Sequence, residues 1–260
     1  MNSSSEAPWR QPLTLRQGAR LKCRVVVTAH TYGFVSRDGI PSVSYSRYVE
    51  RRAEAGSALI VTGESHVGGA ARFGYEPWGE HVVGSASDPH YARLAGIQAL
   101  TGCRIVEQLF HPGLQVWPSR HALARGVDEG VSRLAGTPGL ALTPSEWESI
   151  ISAFRDAASR VASHGLGVEV KADQGKLLDD LIVRAIIDRR AMDMLWQLFG
   201  VVASAGPPVL AVRVSGALAG TLGGKRICAA LVDEFGMDYV SISAGTNTTA
   251  RGYLAAAEED

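Results

Sequence analysis

The sequence predicts an α/β fold: a TIM-like (β/α) barrel with about six recognisable parallel β/α units, two short of the usual eight. Three observations carry this. Short Val/Ile-rich runs recur along the 260 residues. Each is followed by an amphipathic stretch of helical spacing, the alternation that gives a parallel sheet with right-handed crossovers. The runs are nearly continuous in apolar character, as strands covered on both faces are.

The strand-like runs are RVVVTAH (24–30), SALIVTGES (57–65), CRIVEQLF (103–110), GVEVKA (167–172), PVLAVRVSG (208–216) and DYVSISAG (238–245). Between them, SYSRYVERRAEAG ends at Gly56 and DPHYARLAGIQALTG at Gly102, the residue type that closes helices. TPSEWESIISAFRDAASRVASHG opens with Thr143 as N-cap, Pro144 at the first helical position and Glu146 at capping-box spacing. LGGKRICAALVDEFG closes on Gly236. Gly223 and Gly224 with Lys225 form a weak phosphate-loop signal, and a plain turn is favoured. Six parallel strands leave two open edges, which predicts pairing with a second copy through those edges.

Composition narrows the class. Hydrophobic residues make up 46%, charged residues 20%, and the formal net charge is zero, so neither nucleic acid nor an anionic membrane surface is an expected partner. Cys23, Cys103 and Cys228 are odd in number and far apart, with no metal-binding pattern; they read as reduced core cysteines of a cytoplasmic protein. Residues 1–12 read as a disordered lead, 13–250 as one domain and 251–260 as a tail. Residues 111–142, rich in Gly, Pro and Ser, read as a long loop over the barrel mouth.

Several pieces together resemble the old yellow enzyme family of NADH:flavin oxidoreductases. The likeness is strongest to the branch of trimethylamine dehydrogenase, dienoyl-CoA reductases and N-methyl amino acid demethylases. They are LKCRVVVTAH, the Asp38-Gly39 turn, YVERRAEAGSALIVTGES, QLFHPG, Pro118-Ser119, LTPSEWESIISAFRDAA, GVEVKADQGKLLDD, VRVSG and MDYVSISAG, spanning about Leu15 to Gly245. The resemblance implies an FMN barrel. Gln108 would meet the flavin pyrimidine edge, Arg213 would lie near flavin N1, and the backbone around Thr28 and Ala29 would contact the ring. An arginine there stabilises a reduced, anionic flavin.

The chain also departs from the family. The family's fourth-strand motif, VEIHxAHGYL, holds the substrate carbonyl with its histidine pair and offers a tyrosine. Here Lys171, Gln174 and Lys176 stand at those positions. The Gly-rich loops that cradle the FMN phosphate follow the seventh and eighth strands in the family, beyond the last run of this sequence. A Gly-Gly-Ser segment with Glu-Asn-Arg gives way to DRRAMDMLWQLFGVVASAGPP.

The reading that results is an enzyme without the flavin that keeps the pocket and needs no cofactor. It performs a non-redox cyclisation, cycloaddition or isomerisation of an unsaturated, largely apolar natural-product intermediate. Orientation supplies much of the rate in such reactions. Lys171, Gln174, Arg213 and His111 are the catalytic candidates. Gln108, Lys176, His30, Tyr32, Glu64, Trp78, Phe110 and Trp117 are the substrate-binding ones, with Tyr75 as a further donor. Several have a plainer alternative: Lys171 pairing with Glu169, Lys176 solvated, Gln174 capping a turn, His111 structural, Glu64 a surface carboxylate. Two other functions stay open. One is an FMN-dependent ene-reductase or dehydrogenase whose phosphate site comes from a partner chain or from Arg251 in TNTTAR (246–251). The other is a binding or scaffold protein without catalysis.

Overall fold

Each apolar run in the sequence contains a parallel strand, and helices pack on the outer face of the sheet. The computed structural model describes residues 7–30, 32–36, 39–67, 81–111, 144–174 and 176–244. Trp78, Trp117, Tyr75, Arg251, Thr143 and most of the 111–142 loop lie outside them, as does the side chain of Glu146.

The strands are β1 (Leu13–Thr14), β2 (Arg20–Leu21), β3 (Val26–Val27), β4 (Leu59–Val61), β5 (Ser65–His66), β6 (His81–Val82), β7 (Arg104–Phe110), β8 (Gly167–Ala172), β9 (Leu210–Ser215) and β10 (Tyr239–Ser243). The helices are α1 (Val43–Glu54), α2 (Asp88–Thr101), α3 (Pro144–Ser163), α4 (Leu177–Ala185), α5 (Arg189–Ser204), α6 (Gly216–Ala219) and α7 (Leu222–Phe235).

Six strands run parallel in the order β3-β4-β7-β8-β9-β10, curled into an incomplete barrel with β3 and β10 at its edges. β4 and β5 both pair with β7, lower and higher along it, so they are one strand interrupted at Thr62–Glu64. The interruption requires Gly63: a Cβ there would stand 2.4 Å from the His30 carbonyl oxygen. The first and second runs therefore pair over shorter lengths than their apolar content suggests.

The helix ends follow local chemistry. Gly102 and Gly236 close α2 and α7 at φ 66°, in the left-handed region that glycine adopts without a Cβ clash. The Thr221 hydroxyl accepts from the Gly224 N–H at 2.9 Å, so Gly223 and Gly224 form the first turn of α7. Residues 177–204, between the fourth and fifth runs, fold as the helix pair α4 and α5.

Strand side chains alternate between two cores. Outward residues such as Ile105, Leu109, Val168, Val170, Val212 and Val214 pack under the helices with Phe154, Leu195 and Phe199. Inward, Leu59, Val61, Val106 and Val209 meet Leu15, Ala19 and Leu21 of the β1–β2 hairpin. The hairpin plugs the N-terminal end of the barrel. It also ties that end toward the β10 edge: Gln17 donates its backbone N–H to Asp238 (2.7 Å) and its side-chain amide to the Gly236 carbonyl (2.7 Å).

Candidate functional site

The register of the strands stacks polar residues above this apolar plug. Gln108 of β7 lies beside Glu169 of β8, which lies beside Ala211 of β9, then Tyr239 of β10. Two residues higher, toward the C-terminal ends where barrel sites form, Lys171, Arg213 and Ser241 are in register.

The upper layer is a network of charges. Lys171, 3% exposed, pairs with Glu64, which follows β4. Its ammonium also donates to the Gln174 side-chain oxygen at 2.7 Å and lies 3.6 Å from Asp173. The Arg213 Nε donates to Asp173 Oδ2 at 2.8 Å, and Asp173 is completely buried. Arg213 Nη1 reaches across to the Ala29 carbonyl oxygen at 3.3 Å, beyond the end of β3. So side chains bridge the mouth of the incomplete barrel from β8 and β9 to the chain after β3. Gln174 sits at φ 59°, the one non-glycine residue among those described with a left-handed backbone. Such geometry concentrates at functional sites.

In the lower polar layer, Gln108 Nε2 donates to Glu169 Oε1 at 2.6 Å. Burial first of all pushes the Glu169 carboxyl above its ordinary range, against the lowering effect of the Gln108 bond. Tyr239 is raised as well, by its own burial and then by Glu169. Gln108, and not Lys171, is thus the partner of Glu169, and Lys171 pairs with Glu64 instead.

Other candidates fall elsewhere. Phe110 and His111 are buried beside His66, whose ring centroid is 5.8 Å from that of His111. Burial, aided by His66, pushes His111 down to about 3, which keeps it neutral and poorly suited to proton transfer near pH 7. The Lys176 ammonium lies 4.8 Å from the Phe110 ring centroid, a cation–π contact, and is buried rather than solvated. His30 contacts the Tyr48 hydroxyl and the Thr28 carbonyl, and Tyr32 donates to the Val61 carbonyl at 3.0 Å. These two join an aromatic cluster with Tyr45 and Tyr48 of α1.

Lys171, Gln174, Glu64 and Arg213 thus converge, with Gln108 in the layer beneath. Asp173, which joins Lys171 to Arg213, was missed in the sequence, as were Glu169 as the Gln108 partner and Tyr239. The signal for Asp173 was present: the motif VEIHxAHGYL has alanine at that position, and an acid there needs a cation.

No family model and no curated protein matches the chain. Solved structures do. The curled parallel sheet with outer helices defines the protein first as a TIM-like α/β barrel. Its fold is that of the old yellow enzymes. The chain is similar to old yellow enzyme from Pichia sp. AKU4542, with TM-score 0.73 and 19% identity, covering 92% of this chain and 71% of that one. The old yellow enzyme homologue of Zymomonas mobilis gives 0.69 and 18%, covering 95% and 76%. A 2-naphthoyl-CoA reductase in complex with 2-naphthoyl-CoA gives 0.74 and 19%, covering 93% of this chain and 41% of that one. Among the described residues, no helix is long and apolar enough to cross a membrane.

Proposed function

We propose that the chain is a flavin-independent barrel enzyme catalysing a non-redox isomerisation, or a ring closure begun by the same enolisation, of an unsaturated carbonyl compound. The single observation that carries this is the Lys171–Glu64–Gln174 constellation at the barrel mouth. An ammonium has three N–H donors. Lys171 directs one to Glu64 and one to Gln174; Asp173 Oδ1, 3.6 Å away, pairs with the ammonium by charge but lies outside hydrogen-bond distance, so the third N–H can turn to a ligand. A substrate carbonyl oxygen is a suitable acceptor. Glu64 then removes the proton α to that carbonyl, the electron pair moves onto the oxygen beside Lys171, and Glu64 returns the proton at the far carbon of the conjugated system. Nothing is oxidised or reduced overall. A positioned acid–base pair of this kind contributes about 10²–10⁴-fold to rate.

Support for loss of the flavin comes from the partners of its expected ligands. Gln108 is bonded to Glu169, and Arg213 is neutralised by Asp173 and also donates to the Ala29 carbonyl. A reduced, anionic ring beside Arg213 would face the Asp173 carboxylate. These residues do not fit FMN. The mouth between Lys171 and Arg213 is charged, which favours a polar carbonyl end on the substrate over a wholly apolar one. A natural-product intermediate and a cytoplasmic setting remain part of this reading. So does a homodimer through the open edges, favoured by Val26 (44% exposed) on β3 and Ile242 (65%) on β10.

The first test is the visible absorption spectrum of the purified protein, before and after FMN is added. A colourless protein indifferent to FMN is expected; a stoichiometric flavin band overturns the reading. The second is deuterium incorporation into a panel of β,γ-unsaturated ketones in D2O without a hydride donor. It should fall by about 10²-fold or more in Glu64→Gln.

A further inference from the structure

We propose that Asp173 sets the charge selectivity of the barrel mouth, so that the site takes neutral carbonyl ligands and rejects carboxylates and other small anions. This rests on the mouth being the ligand site of the proposed function, but not on the reaction performed there. The two cations in register at the mouth are matched one to one. Lys171 has Glu64, and Arg213 has Asp173 at 2.8 Å. The match is made away from water: side-chain exposure is 3% for Lys171, 14% for Glu64, 16% for Arg213 and 0% for Asp173. Asp173 also lies 3.6 Å from the Lys171 ammonium, so it contributes to both pairs.

An anion drawn to either cation therefore brings a third negative charge up to two carboxylates. At contact distances such repulsion is several times stronger near or inside a protein than in bulk water. Glu169 in the layer beneath offers no relief, since its bonded partner is the uncharged Gln108. The third nearby cation, Lys176, is held over the Phe110 ring. A neutral carbonyl takes the remaining Lys171 donor and adds no charge. Removing the Asp173 charge while keeping its shape leaves Arg213 without its anion, its Nε facing a neutral amide. That converts the mouth into an anion site, because a guanidinium binds carboxylates well.

The test compares benzamide with benzoate, close in shape and different in charge, titrated into the full chain by calorimetry and saturation-transfer NMR. Neither readout needs turnover, so failure of the proposed reaction does not affect it. Wild type is expected to bind benzamide at least about 10-fold more tightly than benzoate. Asp173→Asn is expected to reverse that order, tightening benzoate about 10-fold or more. The double variant Asp173→Asn/Arg213→Gln, which leaves no unmatched charge at this pair, should lose the gain. A wild type that prefers benzoate, binds the two equally or fails to bind benzamide overturns the proposal. So does an Asp173→Asn protein with no gain for benzoate. If Asp173→Asn does not fold, the wild-type order alone decides.

Discussion

The two ends of the same barrel interior are built from opposite chemistry. At the N-terminal end, Leu15, Ala19 and Leu21 of the hairpin fill the space between Leu59, Val61, Val106 and Val209. At the C-terminal end, Glu64, Lys171, Asp173 and Arg213 fill it with matched charges. Apolar packing is non-directional and tolerates imperfect fit, losing free energy with area and cavity volume. A buried ion pair behaves otherwise. Its attraction is largely offset by desolvation, yet losing one partner leaves the other stranded. The lower half therefore stabilises the barrel, whereas the upper half fixes where each side chain points.

That contrast is sharpened most by Asp173→Ala. It strands Arg213, and a loss of about 3–5 kcal/mol in denaturant unfolding is expected. A loss below about 1 kcal/mol would mean that Arg213 reaches water and that the upper half is not a closed network. Leu21→Ala in the plug should cost less, about 2 kcal/mol, because the hairpin can settle into the space left behind. Its effect should appear in stability, with ligand binding at the mouth unchanged.

Two pH profiles separate the polar layers. His111, with an ordinary value of 6.5, is held near 3 in the fold by burial and by His66. A depressed histidine gives stability that is fully present above about 6.5 and lost as pH falls toward about 3. His111→Asn should flatten that part of the acid limb in a series of melting curves. Glu169 has the opposite sign. Its folded carboxyl is raised by burial, so its contribution is fully present below the ordinary carboxylate range and is lost as pH rises. Glu169→Gln should therefore raise the melting temperature at neutral and alkaline pH, with the gain vanishing in acid. A gain independent of pH would place the proton elsewhere. The smallest effect belongs to Gln17→Ala, which removes the exposed bond to the Gly236 carbonyl. About 1 kcal/mol is expected, read as a small shift in the unfolding midpoint.

The sequence by itself determined the run of parallel strands. A Val/Ile run flanked by Gly and an amphipathic stretch has few other ways to bury its surface, and all six runs carry a strand. It also placed Lys171 and Gln174 at the C-terminal end of the fourth run, because position along a strand follows from order alone, whereas Gln108 and Arg213 were singled out by the family resemblance. The hairpin at Leu13–Leu21 escaped notice because two-residue strands leave no periodicity to read. Which charge meets which was decided only by the tertiary structure. Glu64 and Lys171 are 107 residues apart, and Asp173 and Arg213 are 40 apart. Their pairing is set by strand register and by the curl of the sheet, which no local pattern encodes.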